Sequence, residues 1–232
     1  MSCVIRMNSV TKEKKGRRIL SSLSLQVEEA EIYGLLGSNG AGKTSVIRLL
    51  LNLWRPTEGE VEIFGRRIVE SSCLYRRQIG VVWEHPVFRE RLTGRENLEL
   101  HCAYMDNADS GNIRRTIALL GLKEMADVPV QAYSEGMRRR LDIARAVVTK
   151  PELLLLDEPF QKLDLKNREN LALFLRLLRE RLGTSVLITA GSADDLNGLA
   201  DRIGFLEAGA MVRELDAEAY AEWLAEQKKA VW

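Results

Sequence analysis

One stretch of this 232-residue chain, Gly37-Ser38-Asn39-Gly40-Ala41-Gly42-Lys43-Thr44, has the spacing G-x-x-x-x-G-K-[ST]. Each residue type in it suits the holding of phosphate. Glycines tolerate positive φ and let the backbone wrap closely around an anion. Successive N–H groups then point inward as a nest. A helix beginning near Lys43 adds the positive end of its dipole. The Lys43 ammonium can reach the β- and γ-phosphates of ATP, the Thr44 hydroxyl suits Mg²⁺, and Ser45 extends the cradle. A second group follows the apolar run Leu153–Leu156, namely Asp157-Glu158-Pro159. A carboxylate at the end of a buried strand sits where ligands of α/β folds bind. Asp157 is therefore assigned to Mg²⁺, through water, and Glu158 to polarising an attacking water as general base.

These groups need particular elements to position them. Apolar runs alternate with helical patterns, which predicts an α/β fold. Strands are expected near Val4–Met7, Leu23–Val27 and Glu31–Leu36, and the last of these feeds the glycine loop. A helix is expected over Thr44–Leu53, stopped by Arg55-Pro56, with a hairpin-like stretch at Glu60–Phe64. From about residue 84 to 150 the pattern is mostly helical, with helices at Thr93–Met105, Asn112–Leu120 and Glu135–Val148. Leu153–Leu156 reads as a strand buried on both faces. A helix over Leu165–Arg181, a strand at Ser185–Thr189, a helix at Ala193–Ala200 and a strand pair at Ile203–Leu206 and Met211–Arg213 follow. A helical tail runs from about 216 to 232 and carries Trp223 and Trp232.

Bulk properties narrow the function. Hydrophobic residues make up 46% and charged residues 29%, a globular balance. The formal charge of +1 gives no field that would draw the whole molecule to nucleic acid. The basic runs Lys12–Arg18 and Arg138–Arg140 read as solvated faces. Cys3, Cys73 and Cys102 have no metal-like spacing and read as free thiols in a reducing compartment. No stretch has the roughly 18 apolar residues that span a bilayer, and no signal peptide is evident. A membrane part, if the process has one, belongs to another chain.

From about Val4 to Val212 the chain resembles the ATP-binding subunit of ABC transporters. The resemblance rests on GLLGSNGAGKTS at Gly34–Ser45, LTGRENLEL at Leu92–Leu100, YSEGMRRRLDIARAVV at Tyr133–Val148 and LLLLDEP at Leu153–Pro159. It implies a P-loop NTPase core in a single domain, with a mixed sheet, an antiparallel β edge and an inserted helical subdomain. It also implies two subunits facing head to tail, identical or paired with a relative. Ser134 and the backbone of Gly136 would then contact the γ-phosphate held by the opposite glycine loop. The implied partner is a membrane permease and not nucleic acid, and the implied place is the cytoplasmic face of the membrane.

Several positions depart from the family pattern. Glu84 stands where a metal-touching glutamine is usual, and it resembles the variant in subunits that handle lantibiotics and related peptides. As a carboxylate, Glu84 is still a candidate metal ligand. Gly191 stands where a histidine is expected, Lys14 where an aromatic residue stacks on adenine, Glu135 where a glycine is usual, and Phe160 where a small residue is usual. His85 and His101 fall in the helical segment as surface or packing residues. Two functional expectations result: an ATPase that energises export or efflux of a peptide, drug or lipid-like substrate, and a regulatory nucleotide-binding subunit with weak hydrolysis beside a more complete partner. A DNA-repair or chromosome-clamp ATPase would need long coiled coils or a DNA-binding face, and neither is present in the sequence.

Overall fold

The computed structural model describes residues 2–68, 73–106, 110–161 and 163–229. Trp232, the last three residues of the expected tail, Lys162 and the Cys73 side chain lie outside that description.

Among the described residues ten strands form two sheets. The first is antiparallel, in the order β2-β1-β4-β5, built from β1 (Cys3–Lys14), β2 (Arg17–Glu28), β4 (Glu58–Ile63) and β5 (Arg66–Arg67). The second has the order β10-β9-β3-β8-β7-β6 and contains β3 (Ile32–Leu36), β6 (Ile79–Val82), β7 (Leu153–Leu156), β8 (Ser185–Ala190), β9 (Arg202–Glu207) and β10 (Ala210–Asp216). Five of its strands run parallel, and β10 closes one edge antiparallel to β9. The architecture is thus α/β with a mixed sheet and an antiparallel edge.

Among the described residues there are six α-helices: α1 (Lys43–Leu50), α2 (Gly94–Tyr104), α3 (Ser110–Leu119), α4 (Glu135–Val147), α5 (Leu165–Leu182) and α6 (Ala217–Lys229). The strand β7 shows why an unbroken Leu run is needed. All four leucines are buried, and they alternate between two cores. Leu153 and Leu155 join the core that holds β1, β2 and α1. Leu154 and Leu156 join the one that holds α5 and α6. A third core gathers apolar residues of α2, α3 and α4.

The parallel register sets three chain turns side by side. β3 pairs with β8, and β8 with β7, all in one direction. Their C-terminal ends open into Gly37, Gly191 and Asp157 respectively, and the Gly37 N–H donates to the Ala190 carbonyl at 3.1 Å. That is the edge of an α/β sheet at which ligands are held.

Two local expectations change, and one strand stands where no element was expected. β1 and β2 extend through most of the basic run, which becomes a hairpin tip at Lys15-Gly16. IGVV at Ile79–Val82 is a sheet strand; its shortness and the glycine hide it among flanking polar residues. Ala193–Ala200 is not a helix: a single 3-10 turn, Ala193–Asp195, gives way to turns, with Gly198 at φ 64°. A left-handed residue there ends helical propagation. Trp223 packs inward, edge-on to Phe205 at 4.8 Å and tilted against Tyr220 at 5.5 Å.

Candidate active site

The glycine loop leaves β3 and enters α1. Gly40 has φ 84° and Gly42, the residue preceding α1, has φ 113°, backbone that a Cβ would strain. Ser38, Asn39 and Gly40 form the exposed tip, whereas Ala41, Lys43 and Ser45 are buried. Lys43 folds back over the loop. Its Nζ donates to the carbonyls of Gly37 at 2.6 Å and Ser38 at 3.1 Å. It also pairs with Glu158 Oε1 at 2.9 Å, with both side chains at most 10% exposed.

Thr44 lies beside the other carboxylate, its hydroxyl donating to Asp157 Oδ2 at 2.8 Å. Asp157 is buried and fixed from two sides. Its N–H donates to the Val82 carbonyl at 2.8 Å, and its Oδ1 accepts from the Thr189 hydroxyl at 2.9 Å. Burial raises the Asp157 carboxyl above the ordinary range, its two hydroxyl partners oppose that, and the Glu84 and Glu158 charges add to it. Thr189 is the piece that sequence reading missed. Its hydroxyl also accepts the Glu158 N–H at 3.0 Å, so one buried oxygen ties together both members of the Asp-Glu pair. Glu158 itself has φ 47°, a left-handed turn that aims its side chain back at Lys43.

The structure therefore brings Lys43, Thr44, Asp157 and Glu158 into one cluster. Ser134 and Gly136 stand apart, at the start of α4. Ser134 caps that helix, accepting the Met137 N–H at 3.3 Å. Glu135 falls in the first turn, where a carboxylate stabilises the helix N-terminus. Glu84, Gly136 and Gln161 line one cavity of about 200 Å³. His85 is exposed, 3.7 Å from the Glu84 carboxylate. His101 is half-buried, and the loss of hydration pushes its imidazole down to about 4, with Arg145 adding to the effect.

Arg138–Arg140 is not a solvated face. Arg138 pairs with Glu90, and Arg139 is buried, donating to the carbonyls of Trp83 at 2.6 Å and Glu84 at 2.8 Å. One turn further along α4, Asp142 is fully buried, accepts the Trp83 N–H at 3.3 Å and pairs with Arg145. An acid one helical turn from two arginines was the available signal, and its inward facing was not. Lys14 sits over the Trp54 ring at 4.2 Å, with Arg48 over the same ring at 4.9 Å, so the ammonium is engaged inside the chain. Phe160, without a rationale in sequence, is buried in the α5 core and anchors the turn after Glu158.

Comparison with known proteins decides the family. The ABC transporter family model matches residues 20–161. The chain belongs to the ABC transporter family, as an ATP-binding subunit. It is 37% identical to the ABC transporter ATP-binding protein YcbN of Bacillus subtilis strain 168, over 94% of this chain and 71% of that one. It is 33% identical to the bacitracin transport ATP-binding protein BcrA of Bacillus licheniformis, over 100% of this chain and 78% of that protein. Among solved structures it resembles the dimeric MJ0796 cassette, a bacterial ABC transporter cassette, with a TM-score of 0.84 and 28% identity over 92% of this chain and 98% of that one. The fold, the ATPase family and the role of powering a separate permease agree with the expectation from sequence. Among the described residues no helix is long and apolar enough to cross a membrane.

Proposed function

We propose that this subunit hydrolyses ATP in a site it shares with a facing subunit, and that the cycle drives export of a peptide-like or drug-like substrate. The observation that carries the reading is the buried cluster at the ends of β3 and β7, with Lys43 against Glu158 and Thr44 against Asp157. Gly37 to Ser45 would cradle the phosphates through backbone N–H groups and the positive end of α1. Lys43 would leave Glu158 for the β- and γ-phosphates. Thr44, Asp157 and Glu84 offer the oxygen donors that suit Mg²⁺, and the ion would neutralise phosphate charge there. Glu158, freed from its ion pair, would take the proton of a water attacking the γ-phosphorus, and ADP would depart. Ser134 and Gly136 of a facing subunit would complete the anion site from the start of α4.

Glu84 and the similarity to a bacitracin transport protein support an antimicrobial peptide as the exported class. The chain would then sit on the cytoplasmic face of the membrane, held by its permease. A second reading, a regulatory subunit with slow hydrolysis, is favoured by one observation: Gly191 places no side chain beside Glu158. Turnover of Mg-ATP by wild type and Glu158→Gln separates the two. The proposal expects turnover in wild type and a loss of roughly 10²-fold or more in the variant. It also expects ATP to bind the variant at least as tightly, because Lys43 no longer has a competing carboxylate. Equal, very low rates in the two proteins would favour the regulatory reading.

A further inference from the structure

The Glu158 carboxylate has two oxygens and two different partners. Oε1 faces Lys43 at 2.9 Å. Oε2 accepts from the Gln161 side-chain amide at 2.5 Å. The Gln161 N–H in turn donates to the Glu158 carbonyl at 3.2 Å, closing a tight turn over Glu158–Gln161. Phe160 lies in the middle of that turn and is 3% exposed, sunk in the core beneath α5. The turn thus cannot swing without withdrawing an aromatic ring from the core. Across the same oxygen lies Gly191. A Cβ built there would stand 3.2 Å from Glu158 Oε2, tighter than ordinary contact. Residue 191 is therefore the position where a side chain would crowd the oxygen that Gln161 holds.

We infer that Gln161 is the positioning residue for Glu158, with Phe160 fixing the turn that presents it and Gly191 leaving the carboxylate room. The inference rests on the reading of Glu158 as general base. When ATP draws Lys43 away, Oε1 becomes free to face water. Gln161 is then the side chain, among the described residues, that still holds the carboxylate. Its amide donates to Oε2 and leaves Oε1 to accept the proton. An amide suits this role because it carries no charge to compete with the phosphates and no proton to lose. Two positions that depart from the family pattern, Phe160 and Gly191, thereby act with Gln161 on one carboxylate.

The test uses Gln161→Met, which keeps the bulk, and Gln161→Glu, which keeps the shape but removes the N–H donor and adds charge. Both should bind ATP within about twofold of wild type and lose kcat by roughly 10- to 100-fold, because a misplaced catalytic group costs rate and not affinity. Crystal structures of wild type and Gln161→Met with a bound non-hydrolysable ATP analogue, in which Lys43 has turned to the phosphates, read the same point without turnover. The Glu158 carboxylate should keep its place in the first and leave it in the second. Unchanged kcat in Gln161→Met, or a carboxylate that stays in place in both crystals, would overturn the inference. The base reading fails separately: in that case Glu158→Gln turns over ATP at the wild-type rate, whatever the Gln161 variants do.

Discussion

Thr189 joins two carboxylates that face different tasks. Its hydroxyl donates to Asp157 and accepts from the Glu158 N–H, in a setting with no exposed surface. Removing it leaves a buried donor and a buried carboxylate oxygen each short of a partner, at about 1–3 kcal/mol. Thr189→Val, equal in shape, should therefore lower the free energy of unfolding by that amount and reduce turnover, whereas Thr189→Ser stays near wild type. Urea titration and an ATPase assay on both variants check this. At the same scale, Lys43 is held by partners within the chain. Three oxygens hold its ammonium, and in the proposed cycle the phosphates of ATP would replace Glu158 among them. The phosphate loop and the Asp-Glu pair were legible in sequence because their spacing is tied to strand ends. Thr189 was not, because a threonine in a strand carries no mark of what its hydroxyl meets.

Among the elements, α4 and β6 form the joint that links the nucleotide cluster to the helical segment. Arg139 and Asp142 grip the chain where it leaves β6, and Gly80 lets the strand pass so close that a Cβ there would meet the Ala146 carbonyl at 2.2 Å. Two groups around this joint titrate in opposite senses. Burial raises the Asp142 carboxyl to about 6, so its folded form binds protons more readily than the unfolded chain between about pH 4 and 6. Stability from Asp142 consequently grows as pH falls through that window. His101 is depressed to about 4, so the unfolded chain binds the proton first, and stability from His101 is lost as pH falls from about 6.5 to 4. His101→Gln removes only the second effect. Relative to wild type, the variant should gain about 1–2 kcal/mol between pH 7 and 4.5, read from urea melts at each pH. A difference that does not change with pH would count against the half-buried, neutral imidazole. Helix α4 itself was legible, from the Ser134 cap to the apolar stripe. The inward facing of Arg139 and Asp142 was not, since periodicity places a residue on a face without saying what lies opposite. The Ala193–Ala200 helix failed for a related reason: its apolar positions serve as core plugs in a turn, with Leu196 fully buried.

For the whole molecule, the division of labour follows from the sheet. One edge of β3, β7 and β8 gathers the glycine loop and the carboxylates. Ser134 and Gly136 open α4 elsewhere, exposed or half-buried, and no hydrogen bond joins them to the glycine loop among the described residues. On the proposed reading each of these two places would be half of an anion site, and ATP is the group that would join two copies or two relatives. The expectation of such joining comes only from the family resemblance, because nothing in composition or periodicity reports a second subunit. The central claim is a composite, ATP-bridged site, and sedimentation velocity of Glu158→Gln tests it most directly. The account predicts monomers without nucleotide, dimers with Mg-ATP, and monomers again with Mg-ATP when Ser134→Arg is added. Sedimentation that does not change with Mg-ATP, or a dimer that survives Ser134→Arg, would contradict it.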